Sequence, residues 1–162
     1  MTASTHGADR ATVVGLIADT HGLLRPEALE ALRNVDLVIH AGDVGRVEIL
    51  ETLKDLAPVR AVKGNVDRGA WAKELPKDEL VEMGEISIYV YHGYEELDLD
   101  PQAAGCQVVV SGHSHKPGIT EKQGVLYLNP GSAGPRRFKL PVILMRLYIS
   151  GKAVRPELVH LV

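Results

Sequence analysis

The chain has 162 residues, which is the length of one ordinary domain that can bury a core. Its 45% hydrophobic and 24% charged residues are typical of globular proteins, and its formal net charge of −3 gives no sign of a surface for duplex nucleic acid or acidic membranes. The single cysteine, Cys106, cannot form an internal disulfide, and the polar opening MTASTHGADR lacks the apolar core of a signal peptide. We expect a cytoplasmic protein with one domain over residues 1–162, a loose tail over residues 1–10 and no membrane partner.

The first half of the chain alternates strands with helices. Apolar, β-branched runs predict strands, and they lie at residues 11–19, 36–43 and 59–67. Residues 25–34 and 46–56 between them have helical spacing of apolar residues. Near-continuous apolar strands separated by helices are typical of a sheet that helices cover.

The second half is rich in hairpins. Residues 78–93, 118–132 and 141–162 each predict one, with turns near Gln123-Gly124 in the second and at Ser150-Gly151 in the third. A short helical piece near residues 100–105 and the strand QVVVSG, residues 107–112, lie between the first two hairpins. This order predicts two packed sheets with helices outside.

Polar side chains collect at the carboxyl ends of five predicted strands. The strands deliver, in chain order, Asp19 and His21, then Asp43, then Asn65, then His92, and finally His113 and His115. These are seven N/O donors without a thiolate, which are too many for one ion and suit two ions that share a carboxylate. Mixed imidazole and carboxylate ligation favours Mn, Fe, Zn, Ni or Co. The pairs Asp19/His21 and His113/His115 are two residues apart, so we expect each pair to point the same way if extended backbone persists.

Each of these residues has a simpler interpretation when it is taken alone. Asp43 and Asn65 follow glycines, as turn residues do, and Asp19 precedes a helix that it could cap. A lone His92 after a strand is more often a hydrogen-bonding residue than a ligand, and for the GHSH pair the two interpretations are about even. The metal hypothesis is favoured because the simpler one needs separate coincidences at five strand ends. His40, inside the second strand, is interpreted as a core or supporting residue.

The motifs DTH, GD, GN, HG and GHSH resemble, in this order, those of the calcineurin-like metallophosphoesterase superfamily. With the later NPGS and PR they resemble its small YfcE-like phosphodiesterase branch, to which the retromer scaffold subunit is related. The resemblance implies an α/β fold, a four-layer α-β-β-α sandwich of two mostly mixed sheets. It also implies two divalent ions, of which Mn²⁺ is the first choice. One ion would be held by Asp19, His21, Asp43 and His115, and the other by Asp43, Asn65, His92 and His113, with Asp43 as the bridge.

The implied reaction is phosphodiester hydrolysis, in which a metal-bridging hydroxide attacks phosphorus in line and Asp43 and Asn65 act as catalytic residues. Two positions depart from the superfamily: Arg46 and Val66 stand where many members carry an aspartate and a leaving-group histidine. We therefore expect diesters with good leaving groups as substrates. Asp67 has a structural or supporting role in this interpretation, and the role of Arg136 and Arg137 stays open.

The alternative is a catalytically weak or inactive metal-binding scaffold that acts through protein contacts. The complete donor set favours the enzyme. The natural phosphoester is not identified, and nucleic acid enters only as a substrate candidate. Exposed hairpins suggest a homo-oligomer, either a dimer or a tetramer.

Overall fold

The computed structural model describes residues 10–162, and ten strands dominate it. The strands are β1 (Thr12–Ile17), β2 (Leu37–His40), β3 (Val59–Ala61), β4 (Asp78–Met83), β5 (Ile86–Tyr91), β6 (Val108–Val110), β7 (Gly118–Lys122), β8 (Val125–Asn129), β9 (Ile143–Ser150) and β10 (Ala153–His160). The helices are α1 (Pro26–Ala31), α2 (Val47–Lys54) and a short 3₁₀ turn at Ala72–Glu74. Among the described residues, no helix is long and apolar enough to cross a bilayer.

The strands form two mixed five-stranded sheets. The first sheet has the order β10-β9-β1-β2-β3, in which β1, β2 and β3 are parallel, β9 is antiparallel to β1, and β10 is antiparallel to β9. The second has the order β4-β5-β6-β8-β7, with β5, β6 and β8 parallel and antiparallel strands at both edges. The predicted α/β fold of two packed sheets with flanking helices is confirmed.

The core lies in two layers because successive side chains of a strand point to opposite faces. In β1, Val14 and Leu16 point to the space between the sheets and meet residues such as Ile88 of β5. Val13 and Ile17 point to the other side, where α1 and α2 cover the first sheet. Each buried Leu or Ile contributes roughly 1.5–3 kcal/mol, so both layers stabilise the platform that carries the strand ends.

Helix α1 begins at Pro26, whose fixed φ suits a first helical position. It is held at its other end by β9, since Nη1 of Arg146 donates to the carbonyl oxygens of Ala31 at 2.8 Å and Arg33 at 3.1 Å. These carbonyls would otherwise lack partners, as the last carbonyls of a helix do.

Two details of the structure differ from the sequence predictions, and two predictions are not tested by the structure. The prediction of a helical piece near residues 100–105 is wrong, because these residues form only turns. Asp100 accepts at Oδ1 from the Gln102 amide as a helix N-cap would, but the left-handed φ of 80° at Gly105 ends the turn before a helix forms. The third hairpin turns at Gly151-Lys152, one residue later than predicted, since Ser150 still pairs with Ala153. The single domain over residues 1–162 stays a prediction, and the tail over residues 1–10 lies almost wholly outside the described residues.

Candidate metal centre

The carboxyl ends of β1, β2, β3, β5 and β6 meet at one edge of the two packed sheets. Within the first sheet, the amide of Asp19 donates to the carbonyl oxygen of Gly42 at 3.0 Å. Between the sheets, the amide of His113 donates to Oδ2 of Asp19, also at 3.0 Å. Gly112 allows this approach, because a Cβ there would lie 2.9 Å from the Cβ of Ala18. The loops that carry the predicted ligands are therefore bonded to one another.

Six of the seven predicted ligands fall into two groups of three. The first contains Asp19, His21 and His115, and the second contains Asp43, His92 and His113. Within each group the potential ligand atoms lie within 4.8 Å of one another. The seventh, Asn65, joins the second group, since its Oδ1 is 3.0 Å from Nε2 of His92. The two histidines of the GHSH motif thus face different groups.

Asp43 lies between the groups. Its Oδ2 is 3.5 Å from Nε2 of His21 in one group and 3.2 Å from Nε2 of His92 in the other. Asp19 Oδ1 is 3.7 Å from Nε2 of His115 and 3.8 Å from that of His21. Atoms bound to one cation at about 2.0–2.2 Å have separations of this size, so the spacing fits ligands around an ion.

Unpartnered polar atoms support the fit of a cation. Asp19 Oδ1, His21 Nε2 and His115 Nδ1 are buried and have no hydrogen-bond partner within residues 10–162. A buried polar atom without a partner costs roughly 1–3 kcal/mol, and two of these three atoms would ligate the first ion. Imidazole, carboxylate and amide donors suit divalent first-row metals.

The backbone of five candidate ligands is left-handed. The φ angles are 56° at Asp19, 48° at His21, 57° at Asp43, 71° at His113 and 63° at His115. The condition of extended backbone, on which the expectation for the Asp19/His21 and His113/His115 pairs depended, is therefore not met. This conformation is unusual outside glycine and tends to persist at functional sites.

Asp43 and His92 shift each other's pKa. Burial raises the pKa of Asp43, but hydrogen bonds from His92 and the Val66 amide outweigh it, so the net pKa is lowered. Burial lowers the pKa of His92, yet its bonds to Asp43 and the Ala41 carbonyl raise the net pKa. Because Nδ1 of His92 donates to Ala41 at 2.8 Å, its Nε2 faces the centre. A metal at Nε2 must displace the proton that Asp43 favours there.

His40 supports the two loops that carry Asp19 and Asp43. Its Nδ1 accepts from the Gly42 amide at 3.1 Å, and its Nε2 donates to Oγ1 of Thr20 at 3.0 Å, which in turn donates to the Val44 carbonyl. Burial lowers the pKa of His40 to about 4, so the ring is neutral at pH 7. The interpretation of His40 as a supporting residue agrees with these bonds.

Asp67 ties the loop after β2 to the loop after β3. Its Oδ1 accepts from the Gly45 amide at 2.9 Å, and its Oδ2 accepts from the Gly64 amide at 2.8 Å. The residue is only 2% exposed, so solvent does not compete for these bonds. Asp67 thereby sets the separation of Asp43 and Asn65.

The NPGS segment has a supporting role that the sequence analysis missed. Nδ2 of Asn129 donates to the Gly112 carbonyl and to Oγ of Ser114, and Oγ of Ser132 donates to the Asp19 carbonyl. The segment follows β8, a parallel neighbour of β6. The same sequence pattern that indicated the ligands, polar residues beside glycine at the end of an apolar strand, could have indicated this segment.

The two departures from the superfamily motifs lie beside the centre. Val66 donates its amide to Oδ1 of Asp43 at 3.0 Å, and its side chain is 41% exposed. Arg46 lies next to Gly22 of the first ligand loop. Farther along the chain, Arg136 bonds to the carbonyl of Leu140, whereas Arg137 is near enough for its charge to help burial lower the pKa of His115.

Comparison with known proteins identifies the family. The sequence profile of the calcineurin-like phosphoesterase superfamily domain matches residues 13–152. The chain belongs to this superfamily. It is 42% identical over 153 residues to a probable metallophosphoesterase of Methanocaldococcus jannaschii, and the match covers 86% of this chain and 77% of that protein.

Solved structures share the fold of this superfamily member. An archaeal phosphodiesterase superposes with a TM-score of 0.75 at 25% identity, over 91% of this chain and all of that one (100%). Vacuolar protein sorting 29 of Cryptosporidium parvum superposes with a TM-score of 0.76 at 25% identity, over 94% and 100% of the two chains. Phosphoesterases and a sorting protein thus occur among its structural relatives.

Proposed function

We propose that this superfamily member is a binuclear metal-dependent phosphodiesterase. The observation that carries the proposal is the pair of ligand groups with Asp43 between them, at the meeting point of five strand ends. One ion would be held by Asp19, His21, Asp43 and His115, and the other by Asp43, Asn65, His92 and His113. Mn²⁺ is our first choice, because it accepts both carboxylate and imidazole ligands.

When bound, the two ions would supply an activated water at neutral pH and offset the charge of the phosphoryl oxygens. The chain's own residues hold the ligand atoms in position. Asn65 turns its Oδ1 toward His92, so its amide NH₂ remains to donate to a phosphoryl oxygen as charge develops there. Asp43 fixes the distance between the two groups. No serine or cysteine needs to be covalently modified.

Val66 supports a preference for diesters with good leaving groups. A histidine at this position could protonate the departing oxygen, and an aliphatic side chain cannot. An activated diester with an acidic alcohol needs little protonation, whereas an unactivated monoester needs more. We therefore expect the diester to be cleaved faster than the matching monoester.

A scaffold is the second candidate function, and the likeness to vacuolar protein sorting 29 is the observation that favours it. In that case the centre would bind metal weakly and turn over little substrate, and the surface would bind proteins. The full set of seven donors supports the enzyme instead, because a protein-binding surface does not need them.

Location and assembly are further parts of the proposal. A reducing, cytoplasmic compartment is supported by Cys106, which is buried and whose pKa burial raises, as for an inert thiol. A homo-oligomer is a further part of the proposal, and it would pair at β10, an eight-residue edge strand of the first sheet, on the part that Pro156 does not interrupt.

The test is to remove metal with a chelator, reload with Mn²⁺, and compare bis(p-nitrophenyl) phosphate with p-nitrophenyl phosphate. Asp43→Ala should lower kcat/KM for the diester by more than about a hundredfold, since even residues behind the ligands contribute 10- to 100-fold. Asp36→Ala is the control, because Asp36 bonds to the Val13 amide and Arg10 away from the centre. No turnover with any divalent metal would contradict the enzyme and favour the scaffold.

A further inference from the structure

A cavity of about 620 Å³ opens directly beside the candidate metal centre. Two of the seven candidate ligands, Asn65 and His92, line it. Cavities of roughly 300–1,000 Å³ hold whole small molecules, so a phosphoryl group alone would leave most of this space empty. The cavity is therefore large enough for the organic group that is esterified to a phosphate, when the phosphorus lies at the candidate metal centre.

Aromatic side chains are concentrated in this cavity. Three of the five tyrosines in the chain, Tyr89, Tyr91 and Tyr94, line it. Tyr89 is buried and its hydroxyl donates to Asp78, so it is a fixed part of the cavity wall. Tyr94 is different, because it is 64% exposed.

Tyr94 stands at the border between the cavity and the centre. Its ring meets that of His113 edge to face, with ring centroids 5.3 Å apart. Because contact with His113 and the surrounding loop leaves most of the residue exposed, a face of its ring is free to stack on a planar group. Stacking of a base on an aromatic side chain is a recurrent and sequence-tolerant way to hold nucleic-acid components.

The charges of the cavity limit what else the substrate can carry. Carboxylates outnumber cations five to three: Asp67, Asp78, Glu95, Glu96 and Asp98 against Lys63, Arg68 and Lys77. Lys77 is already paired with Glu95 at 3.2 Å. Asp67 and Asp78 already accept from backbone amides and from Tyr89, so Glu96 and Asp98 are left to accept hydrogen bonds from hydroxyl and amino groups. The net negative lining disfavours a chain of further phosphates.

We propose that this cavity holds the nucleoside of a nucleoside phosphodiester, with Tyr94 as the specificity-determining residue that stacks on the base. The inference rests on the proposed phosphodiesterase function. The volume admits a nucleoside-sized group, the free face of Tyr94 suits a planar base, and the acidic lining suits hydroxyl groups without additional phosphates. A methyl group or a choline would fill only a small part of the space.

Three chromogenic diesters test the inference, because they share p-nitrophenolate as leaving group and differ only in the retained alcohol: thymidine 5′, choline and methyl. We expect kcat/KM to be about tenfold or more higher for the thymidine ester than for the methyl ester. Tyr94→Ala should lower this ratio about fivefold or more, because the ratio compares two esters cleaved by the same centre. Tyr94→Phe should retain the ratio, since it keeps the ring.

Phe138→Ala is the matched control, because Phe138 is 92% exposed and does not line the cavity. It should leave the ratio unchanged. The inference is overturned if Tyr94→Ala cleaves the methyl ester and keeps the wild-type ratio. It is also overturned if the choline ester is the best substrate, since that result would assign the acidic lining to a cationic group.

Binding separates this inference from the proposed function. If none of the three esters is cleaved, the phosphodiesterase proposal fails, and calorimetry on the Mn²⁺-loaded protein still tests the cavity. Thymidine 5′-monophosphate that binds more tightly than inorganic phosphate, with the difference lost in Tyr94→Ala, supports a nucleoside subsite. Equal affinity for the two ligands overturns it.

Discussion

Replacement of Asp67 by asparagine tests whether one buried carboxylate holds two ligand loops together. The carboxylate accepts from the amides of Gly45 and Gly64. An asparagine of the same shape has one acceptor oxygen, so its NH₂ would face one of these N–H groups. Loss of a hydrogen bond to a charged group costs about 1.5–3 kcal/mol, and the other bond weakens because it becomes neutral. We expect Asp67→Asn to lower the free energy of unfolding by about 3 kcal/mol.

The assay combines thermal unfolding with metal binding. For a domain of this size, a loss of about 3 kcal/mol lowers Tm by roughly 6–12 °C. Since Asp67 sets the separation of Asp43 and Asn65, calorimetry should also show an affinity for Mn²⁺ about tenfold or more weaker. The matched control is Asp36→Asn, which loses bonds to Val13 and Arg10 and should lower Tm without changing metal affinity. An Asp67→Asn protein with wild-type Tm and wild-type affinity would refute the role assigned to this carboxylate.

Three further predictions concern the same region. His40 has a pKa of about 4 in the folded chain and 6.5 in the unfolded chain, so the folded chain binds fewer protons between these pH values. About 3 kcal/mol of stability that is present above pH 6.5 is therefore lost as the pH falls toward 4. In urea unfolding of the metal-free protein, His40→Gln should remove this part of the pH dependence. Gly64→Ala should lower stability by about 1–3 kcal/mol and reduce the bound metal measured by mass spectrometry, because the new Cβ would lie 2.1 Å from the Asp43 amide, while Gly118→Ala, with nothing within 4 Å, should change neither. Val66→His should make the rate less dependent on the leaving group, with a gain of about a hundredfold for poor ones; an unchanged slope against phenol pKa would contradict the account of diester preference.

The fold could be predicted because its strands carry strong local signals. β1 and β2 are almost wholly apolar, and the Gln123-Gly124 turn has positive φ at both residues, 53° and 79°, as a two-residue hairpin requires. The segment at residues 100–105 has helix-forming alanines and an N-cap at Asp100, but Gly105 has a left-handed φ of 80° and ends it after one turn. Leu97 and Leu99 of the preceding loop then cover part of the second sheet's outer face.

The candidate site was predictable in composition but not in backbone geometry. Polar residues at strand ends gave the seven donors, since the carboxyl ends of parallel strands meet at one edge. The left-handed backbone at His113 and His115 depends on contacts with Asp19 and Asn129, which come from distant parts of the sequence. The stacking position of Tyr94 likewise depends on a tertiary neighbour, His113, so spacing along the chain does not reveal it.

The left-handed ligand loops set stability and chemistry against each other. Each non-glycine residue with such a φ costs roughly 1 kcal/mol, so five of them cost about 5 kcal/mol, which is comparable with the lower end of the total stability of a small domain. Replacement of Asp19, His21 or Asp43 by glycine would relax the backbone and remove a donor in one step. At these positions, the glycine replacements that relieve the backbone strain therefore also remove a candidate ligand. A descendant of this chain that no longer needed the metal centre would gain folding stability from such replacements, so it would be expected to lose the centre.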